Sequence, residues 1–249
     1  MKADEVLAWL AKRGSRADRD GMARYGIAAR KAYGVPMRTL LLLRKQVGTD
    51  HELALELWKT GWYEARLFAA LVADPARITR RQMNAWAGGF ENWADCDTAC
   101  FHLFDRSRHA WEQAEAWAGS PKLLVKRAAF ALMASLALHD KAAPDARLRA
   151  FLPLIEKGAR DERDLVRKGV SWALRSIGAR NAELHVASIA LARRLGASAE
   201  SSARWVGRDA LRDLERPLVK ARIAKRSASG SGNTLPAKSP VKKSASSRK

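Results

Sequence analysis

Residues 121–138 read PKLLVKRAAFALMASLAL, an apolar stretch of helical length that two adjacent cations, Lys126 and Arg127, interrupt. The stretch predicts a helix. A charge on a helix otherwise so apolar needs a partner or an open cleft, because an unpaired buried charge is strongly unfavourable.

The helical pattern continues on both sides of this stretch. Leu, Ala and Trp recur at i, i+3, i+4 and i+7 up to about Arg216, and Gly or Pro separates the runs, as at Gly34-Val35-Pro36. Towards the C-terminus we expect helices over residues 145–158, 163–177, 181–195 and 199–215. No segment shows the period-two alternation of a strand. The sequence therefore predicts an all-α chain of about a dozen helices, each roughly 10–18 residues long.

The loops between these helices are short, so neighbouring helices should pack antiparallel. Helix pairs recur about every 30–45 residues, which is the spacing of helical solenoids. We therefore expect a right-handed solenoid of antiparallel helix pairs with a concave face suited to a rod-like ligand. A globular multi-helix bundle is the competing interpretation.

The helical pattern defines one domain, residues 1–216. Residues 217–249 differ in composition, and their last part, SASGSGNTLPAKSPVKKSASSRK (residues 227–249), has almost no large apolar side chain. Such a segment buries too little surface to offset its chain entropy. We expect a disordered basic tail that touches DNA phosphates, with an inert solubilising tail as the alternative.

The net charge of the chain is +20, and removing the nine cations of residues 217–249 leaves +11 on the predicted domain. This excess predicts a polyanionic partner, with nucleic acid as the first candidate and an anionic membrane surface as the second. The two cysteines, Cys96 and Cys100, fit a buried helix face in a reducing compartment. No signal sequence or membrane span is visible, so we expect a cytoplasmic, nucleoid-associated protein.

Several enzyme classes lack their motifs in this sequence. Gly88-Gly89 is not followed by the Lys-Ser/Thr of a phosphate-binding loop. No histidine lies at metal-ligand spacing from a cysteine or a carboxylate, and no serine has the context of a nucleophile elbow. The chain is instead rich in tryptophan, with nine residues.

Two of the tryptophans lie beside charged residues at helical spacing. Trp93 and Asp97 share one helix face, and Trp172 has Lys168 four residues before it and Arg175 three residues after it. Taken singly, these residues have ordinary explanations: core packing for a tryptophan, capping for an aspartate, an ion pair for Arg127 and a solvated face for the other cations.

In combination, three segments resemble the AlkD family of DNA alkylation repair glycosylases. The motifs are Trp93-x-x-x-Asp97, then Lys126-Arg127-Ala128-Ala129, then Arg167-Lys168-x-x-x-Trp172-Ala173-Leu174-Arg175. Residues 33–40 and 52–75 also resemble the family. The similarity covers residues 1–216.

The resemblance implies a fold of HEAT-like repeats with duplex DNA on a positive concave face. It implies hydrolysis of the N-glycosidic bond of N3- or N7-alkylated purines, with no metal and no cofactor, by a monomer that does not bind membranes. The implied catalytic residues are Asp97, Trp93, Arg127 and Trp172. Asp97 would stabilise the oxocarbenium-like sugar and place a water, the tryptophans would contact the sugar-phosphate backbone, and Arg127 would hold a phosphate. The implied DNA-binding cations are Lys126, Arg167, Lys168 and Arg175.

Three hypotheses follow for the function, and one alternative stays open within the site. If the motif register is shifted, Asp95 replaces Asp97 as the catalytic carboxylate. The first hypothesis is a monofunctional alkylpurine DNA glycosylase. The second is a catalytically silent relative that binds damaged or branched DNA, and the third is a protein-binding helical scaffold.

Overall fold

The computed structural model describes residues 1–230, with side chains to residue 226, and this part of the chain contains helices and no strand. The all-α prediction is therefore confirmed. The helices are α1 (Ala3–Arg13), α2 (Arg16–Met22), α3 (Met37–Val47), α4 (His51–Lys59), α5 (Tyr63–Val72), α6 (Arg80–Gly88), α7 (Trp93–His102), α8 (Ala110–Ala118), α9 (Leu123–His139), α10 (Asp145–Arg149), α11 (Leu152–Gly158), α12 (Asp164–Gly178), α13 (Ala182–Gly196), α14 (Ser201–Leu214) and α15 (Pro217–Gly230). Two 3₁₀ turns, Ala23–Tyr25 and Phe104–Arg106, interrupt the series.

The helices form two layers, as expected for a solenoid. One layer is the series α3, α5, α7, α9, α12 and α14, in which each helix packs on the next. The other layer contains α1, α4, α6, α8, α10, α11 and α13, and most of its helices pack on a helix of the first layer that adjoins them in sequence. Since each pair contacts mainly its neighbours, the core is continuous along the stack. We call the layer that holds α7, α9 and α12 the site layer.

Helix α9, which contains the apolar stretch of residues 121–138, is the centre of this core. Its residues from Arg127 to Ala137 are all buried, and it packs against α7, α8 and α12. Phe130 lies against α11, where a Cβ added to Gly158 would come within 2.3 Å of the Phe130 ring. The apolar composition of the stretch is therefore explained by contact with helices on several sides.

The second layer is held by aromatic and amide side chains. Trp58 of α4 stacks on Trp86 of α6 at 4.2 Å between ring centroids. The Asn84 carbonyl oxygen on α6 accepts hydrogen bonds from Trp117 at 2.9 Å and Gln113 at 2.6 Å, both on α8. Trp58, Trp86 and Trp117 therefore pack within the fold, and only the other tryptophans are available for a functional face.

The break before α3 depends on a glycine and a buried carboxylate. Gly34 has φ +81°, a backbone conformation that side chains with a Cβ rarely adopt. The fully buried Glu64 accepts hydrogen bonds from the backbone N–H groups of Tyr33, Gly34 and Val35 at 2.7–3.1 Å. This bond set fixes the N-terminal helices to α5.

Three segments differ from the sequence-based expectation. Residues 145–158 form two short helices, α10 and α11, where one was predicted. Helix α2 was not predicted, because it is polar and buries no residue. Helix α15 occupies the start of the segment that the sequence predicts to be a disordered tail. Ile223 is buried, and Arg226 donates to the carbonyl oxygens of Ala179 and Arg180, which explains its order. The rest of that predicted tail lies outside the described residues.

No helix in residues 1–230 combines the length and the apolar composition that crossing a lipid bilayer requires.

The contact between α13 and α14 generates a stability prediction. A Cβ added to Gly207 would come within 2.2 Å of the Gly196 backbone nitrogen and 2.5 Å of the Ala192 carbonyl oxygen. We expect Gly207→Ala to lower the free energy of unfolding by about 1–3 kcal/mol or more, because backbone atoms must move apart. Gly196→Ala is the matched control, since its Cβ would meet atoms only at 3.8 Å or beyond. Urea unfolding measures both variants, and equal effects would contradict the prediction.

Candidate functional site

The first turn of α7 positions Trp93 and Asp97. The Asn92 side chain caps the helix and accepts hydrogen bonds from the backbone N–H groups of Ala94 at 2.9 Å and Asp95 at 3.2 Å. Trp93 is the first helical residue and Asp97 lies one turn later, so both project from one face. The shared face agrees with the sequence-based expectation.

Arg127 of α9 connects this face to two other helices. Its Nε and Nη2 atoms donate to the two carboxylate oxygens of Asp97 at 2.9 and 2.7 Å, and Nη1 donates to the Leu165 carbonyl oxygen on α12 at 2.7 Å. The Arg127 side chain is 8% exposed and that of Asp97 is 18% exposed. The pair is therefore bidentate and largely buried, and the Asp97 side chain is more accessible to solvent than that of Arg127.

This arrangement changes the role expected of Arg127. The family resemblance implies a phosphate contact, whereas Nε, Nη1 and Nη2 of Arg127 all donate to acceptors within the protein. Breaking a buried ion pair by removing one partner costs about 3–5 kcal/mol. Arg127 therefore acts on Asp97 and on the packing of three helices, and its fork is not free for DNA.

Burial and the ion pair act in opposite directions on the Asp97 carboxyl. Burial raises its pKa above the ordinary value, and the hydrogen bonds and charge of Arg127 oppose that rise. For Arg127, burial disfavours the charge, but hydrogen bonding to Asp97 outweighs it and the pKa is raised. The guanidinium thus remains charged and favours an ionised carboxylate.

Trp93 is held in place from the N-terminal part of the chain. Its indole N–H donates to the Tyr25 carbonyl oxygen at 2.9 Å, and its ring centroid is 6.0 Å from the Arg127 guanidinium carbon, at the outer limit of a cation–π contact. A cavity of about 430 Å³ opens beside the ring. It is lined mainly by apolar residues, among them Met22, Ile27, Met37 and Leu67.

Trp172 lies on α12, further along the helix than the residue whose carbonyl Arg127 contacts. It follows Leu165 by seven residues, so it shares the helix face that Arg127 reaches, about 10 Å further along the axis. Its side chain is half-buried against the core. The structure therefore joins Trp93, Asp97 and Arg127 directly and places Trp172 two turns away on the same side of α12.

The four predicted DNA-binding cations all lie near carboxylates. Lys126 contacts Asp161 at 2.8 Å, and Arg167 and Lys168 contact Asp164 at 2.5 and 2.6 Å. The remaining cation, Arg175, is more loosely placed, 3.9 Å from Asp209 and from Asp213. Exposed pairs of this kind are worth little, so most of these cations can exchange a carboxylate for a phosphate at small cost. Lys126 is the exception, because its partner Asp161 is nearly buried.

The alternative carboxylate, Asp95, is occupied by helix capping. Its oxygens accept hydrogen bonds from the backbone N–H groups of Glu91 at 2.9 Å, Asn92 at 3.2 Å and Cys96 at 2.8 Å. The residue is 2% exposed, and burial raises its pKa to about 6. Asp95 is therefore bound to the backbone and buried, whereas Asp97 is partly exposed.

Sequence reasoning missed three contributors to the site. Tyr25 supplies only a backbone carbonyl, and Asp161 holds Lys126 through the fold, so neither has a motif. The third is Trp205 of α14, whose ring lies 4.8 Å from the Arg167 guanidinium carbon. The sequence did contain an indication of this residue, because helical spacing places Trp205 on one face with Ser201, Arg208 and Arg212. Among the described residues, no three His, Cys, Asp or Glu side chains gather in a way that could hold a metal ion.

Comparison with known proteins assigns the chain to a family. Residues 6–214 match the sequence model of the DNA alkylation repair enzymes. The chain belongs to this DNA alkylation repair enzyme family. The match spans all the helices that carry the site and ends at the last residue of α14.

Solved structures support the fold of this family member. One similar structure is of a protein from a family related to the HEAT-like repeat DNA glycosylases, with affinity for branched DNA structures. It has a TM-score of 0.73 and 19% identity over 90% of this chain and 96% of that chain. At that identity the likeness shows the HEAT-like repeat fold alone. A designed armadillo repeat protein in complex with the peptide (KR)4 has a TM-score of 0.34 and 13% identity over 80% of this chain and 87% of that one, which bears on neither fold nor function. No curated protein matches the chain.

The Asp161 carboxylate generates a pH-dependent prediction. Hydrogen bonds from Arg163 and then Lys126 hold its pKa well below the usual range. A carboxyl with a depressed folded pKa contributes stability above its unfolded pKa, near 3.9, and loses it as the pH falls below that value. We expect Asp161→Asn to lower the free energy of unfolding by about 1–3 kcal/mol at pH 7, with the difference shrinking below about pH 4.

Urea unfolding between pH 2 and 7 measures this difference. Asp164→Asn is the control, because its ion pairs are half-exposed and should contribute less than about 1 kcal/mol. A wild-type advantage over Asp161→Asn that is as large at pH 2 as at pH 7 would rule out the electrostatic explanation.

Proposed function

We propose that this chain is a DNA glycosylase that hydrolyses the N-glycosidic bond of N3- or N7-alkylated purines in duplex DNA, without a metal. The observation that carries the proposal is the Asp97 carboxylate, which the buried Arg127 holds by two hydrogen bonds beside Trp93 and whose side chain remains partly exposed to solvent. The family assignment supplies the reaction class, DNA alkylation repair.

The reaction requires few catalytic groups from the protein. An alkylated purine carries a positive charge, so the C1′–N bond breaks with its electron pair moving to the base, which leaves neutral. The sugar then carries the positive charge. A fixed carboxylate stabilises that charge, because it is oriented before the reaction and lies in a partly water-free environment. Water adds to C1′ and loses its proton to the carboxylate or to solvent, which leaves an abasic site.

The neighbouring residues take supporting roles in this proposal. Arg127 is a positioning residue that keeps Asp97 ionised and oriented. Trp93 presents a ring face to the sugar, where a π-system stabilises developing positive charge, and Trp172 contacts the backbone further along the groove. Arg167, Lys168 and Arg175 hold phosphates without reading bases, and Lys126 joins them if a phosphate displaces Asp161. The partner is duplex DNA, bound by a monomer.

A second candidate function is binding without base release. It is favoured by the likeness to a protein with affinity for branched DNA structures, and the net charge of the chain suits either function. Affinity for a four-way junction that exceeds affinity for a linear duplex of equal length, with no base release, would support this candidate.

Asp97→Asn tests the catalytic proposal. We expect release of N7-methylguanine from methylated duplex DNA to fall by about 10²–10³-fold, since the fixed negative charge is lost, while DNA affinity stays within a few-fold of wild type. Single-turnover base release and fluorescence anisotropy measure the two quantities.

Asp95→Asn is the matched control for Asp97→Asn, because it makes the same chemical change on the same helix two residues away. It should retain activity once the rate is corrected for the folded fraction. Loss of release in Asp95→Asn alone would move the catalytic role to Asp95. A wild-type protein that binds methylated DNA but releases no base would overturn the enzymatic proposal.

Arg127→Gln tests the positioning role. Without the guanidinium, only the hydrogen bond with Cys96 opposes burial and the pKa of Asp97 rises further, so a larger share of Asp97 is protonated at a given pH. We expect the acid limb of the pH–rate profile to move to higher pH, and Arg127→Lys to move it less. A lower rate with an unshifted profile would contradict this role and indicate a purely structural one.

A further inference from the structure

A second group of cations lies at the other end of α7 and α9. Arg106, Arg108 and Arg147 line an open cavity of about 580 Å³ together with the buried Ser107 and with Trp111. We call the three arginines the edge arginine cluster. All three are exposed, and none is part of the site around Asp97.

The edge arginine cluster has no carboxylate partner within residues 1–226. Some exposed arginines elsewhere on the surface are paired with a carboxylate, as in Arg80 with Glu112 and Arg149 with Glu183. The charge of Arg106 acts on the nearby buried Asp105 carboxyl and opposes the rise in its pKa that burial causes, but none of the three arginines makes a direct ion pair in the described residues. Three neighbouring arginines without a direct ion pair favour an anionic ligand.

The two acids that line the cavity are already engaged. Asp105 pairs with His139, and Asp140 accepts from the Trp111 indole N–H at 3.3 Å and the Ala143 N–H at 3.0 Å. The Asp105 side chain is fully buried and one of its oxygens has no partner in the described part of the chain. It therefore lies beneath the cavity surface, where the arginine side chains are the groups that a ligand meets first.

Two of the arginines are held in place before any ligand arrives. The Arg147 guanidinium carbon lies 4.2 Å from the Trp111 ring centroid, and Trp111 stacks on Phe151 at 5.0 Å and 17°. A guanidinium stacked on a ring keeps its N–H edge available for a planar two-oxygen contact. The Nε atom of Arg108 donates to a ring nitrogen of His109 at 3.2 Å, which orients its remaining donors.

The cluster is too far from Asp97 to act on the same group. Helix α9 carries Arg127 near its start and His139 at its end, twelve residues later, which corresponds to about 18 Å along the axis. Phosphates in one DNA strand are spaced by about 3.4 Å of helical rise. A strand held at Asp97 would therefore reach the cluster only several nucleotides away.

We propose that the edge arginine cluster is a second anion site that binds phosphate oxygens, supplied by a nucleic-acid backbone that extends past the groove or by a free phosphate compound. Arg147 supplies the oriented N–H edge, Arg106 and Arg108 supply further donors, and the Ser107 hydroxyl lies within the same cavity. Binding at this site does not depend on base release, so this proposal can be tested independently of the glycosylase proposal.

Paired double variants test this site. Arg106→Gln/Arg147→Gln removes two of the unpaired charges, and Arg80→Gln/Arg149→Gln removes two charges that are already paired, with the same change in net charge. Binding of a 30-base-pair duplex is measured by fluorescence anisotropy over a range of salt concentrations. We expect the slope of log K against log salt to fall by about one to two units in the first variant, since each lost phosphate contact contributes about 0.9, and to stay near wild type in the second.

A second measurement identifies the source of the phosphate. Thermal unfolding is followed as inorganic phosphate replaces chloride at constant ionic strength. If phosphate stabilises wild type but not Arg106→Gln/Arg147→Gln while the DNA slopes agree, the ligand is a free phosphate compound. A changed DNA slope assigns the site to the nucleic-acid backbone. If neither quantity differs from the control, the proposal is overturned. Arg106→Lys/Arg147→Lys, which keeps both charges, should retain most of the salt slope and shows that any loss is not a folding defect.

Discussion

The buried guanidinium of Arg127 is the interaction on which the site depends. A charged group in a helix interior is unfavourable unless its donors are satisfied, and Arg127 satisfies three of them on two neighbouring helices. The same bonds orient Asp97 and fix the spacing of α7, α9 and α12. The same hydrogen bonds therefore determine both the stability of the fold and the placement of the carboxylate, so neither can change without the other.

The sequence predicts the helices well where an apolar face recurs. The predicted shared face of Trp93 and Asp97 was correct, because it depends only on the spacing of residues within one helical turn. Helix α2 has no buried face, so periodicity could not reveal it. The order of α15 depends on contacts with Ala179 and Arg180, more than forty residues away.

The sequence shows the charged residues of the candidate site but not the partners that they contact. Lys126 and Arg127 are adjacent and signal a charged interruption of an apolar helix, yet the structure gives them different acids, Asp161 and Asp97. Which acid meets which cation follows from the packing of helices about 30 residues apart, and no local spacing encodes it. For the same reason, the family resemblance implied a phosphate partner for Arg127, where the structure shows the Asp97 carboxylate.

In a repeat array, stability is close to a sum of terms for each unit and for each pair of adjacent units. The hydrogen bond from Trp93 to the Tyr25 carbonyl does not fit that description, since it passes over the α4–α5 pair and spans 68 residues. The N-terminal helices carry none of the proposed catalytic side chains, yet they hold one of them in position. The first repeat is therefore part of the smallest unit that can contain an intact site, and a shortened chain that begins at α3 would leave the indole without its acceptor.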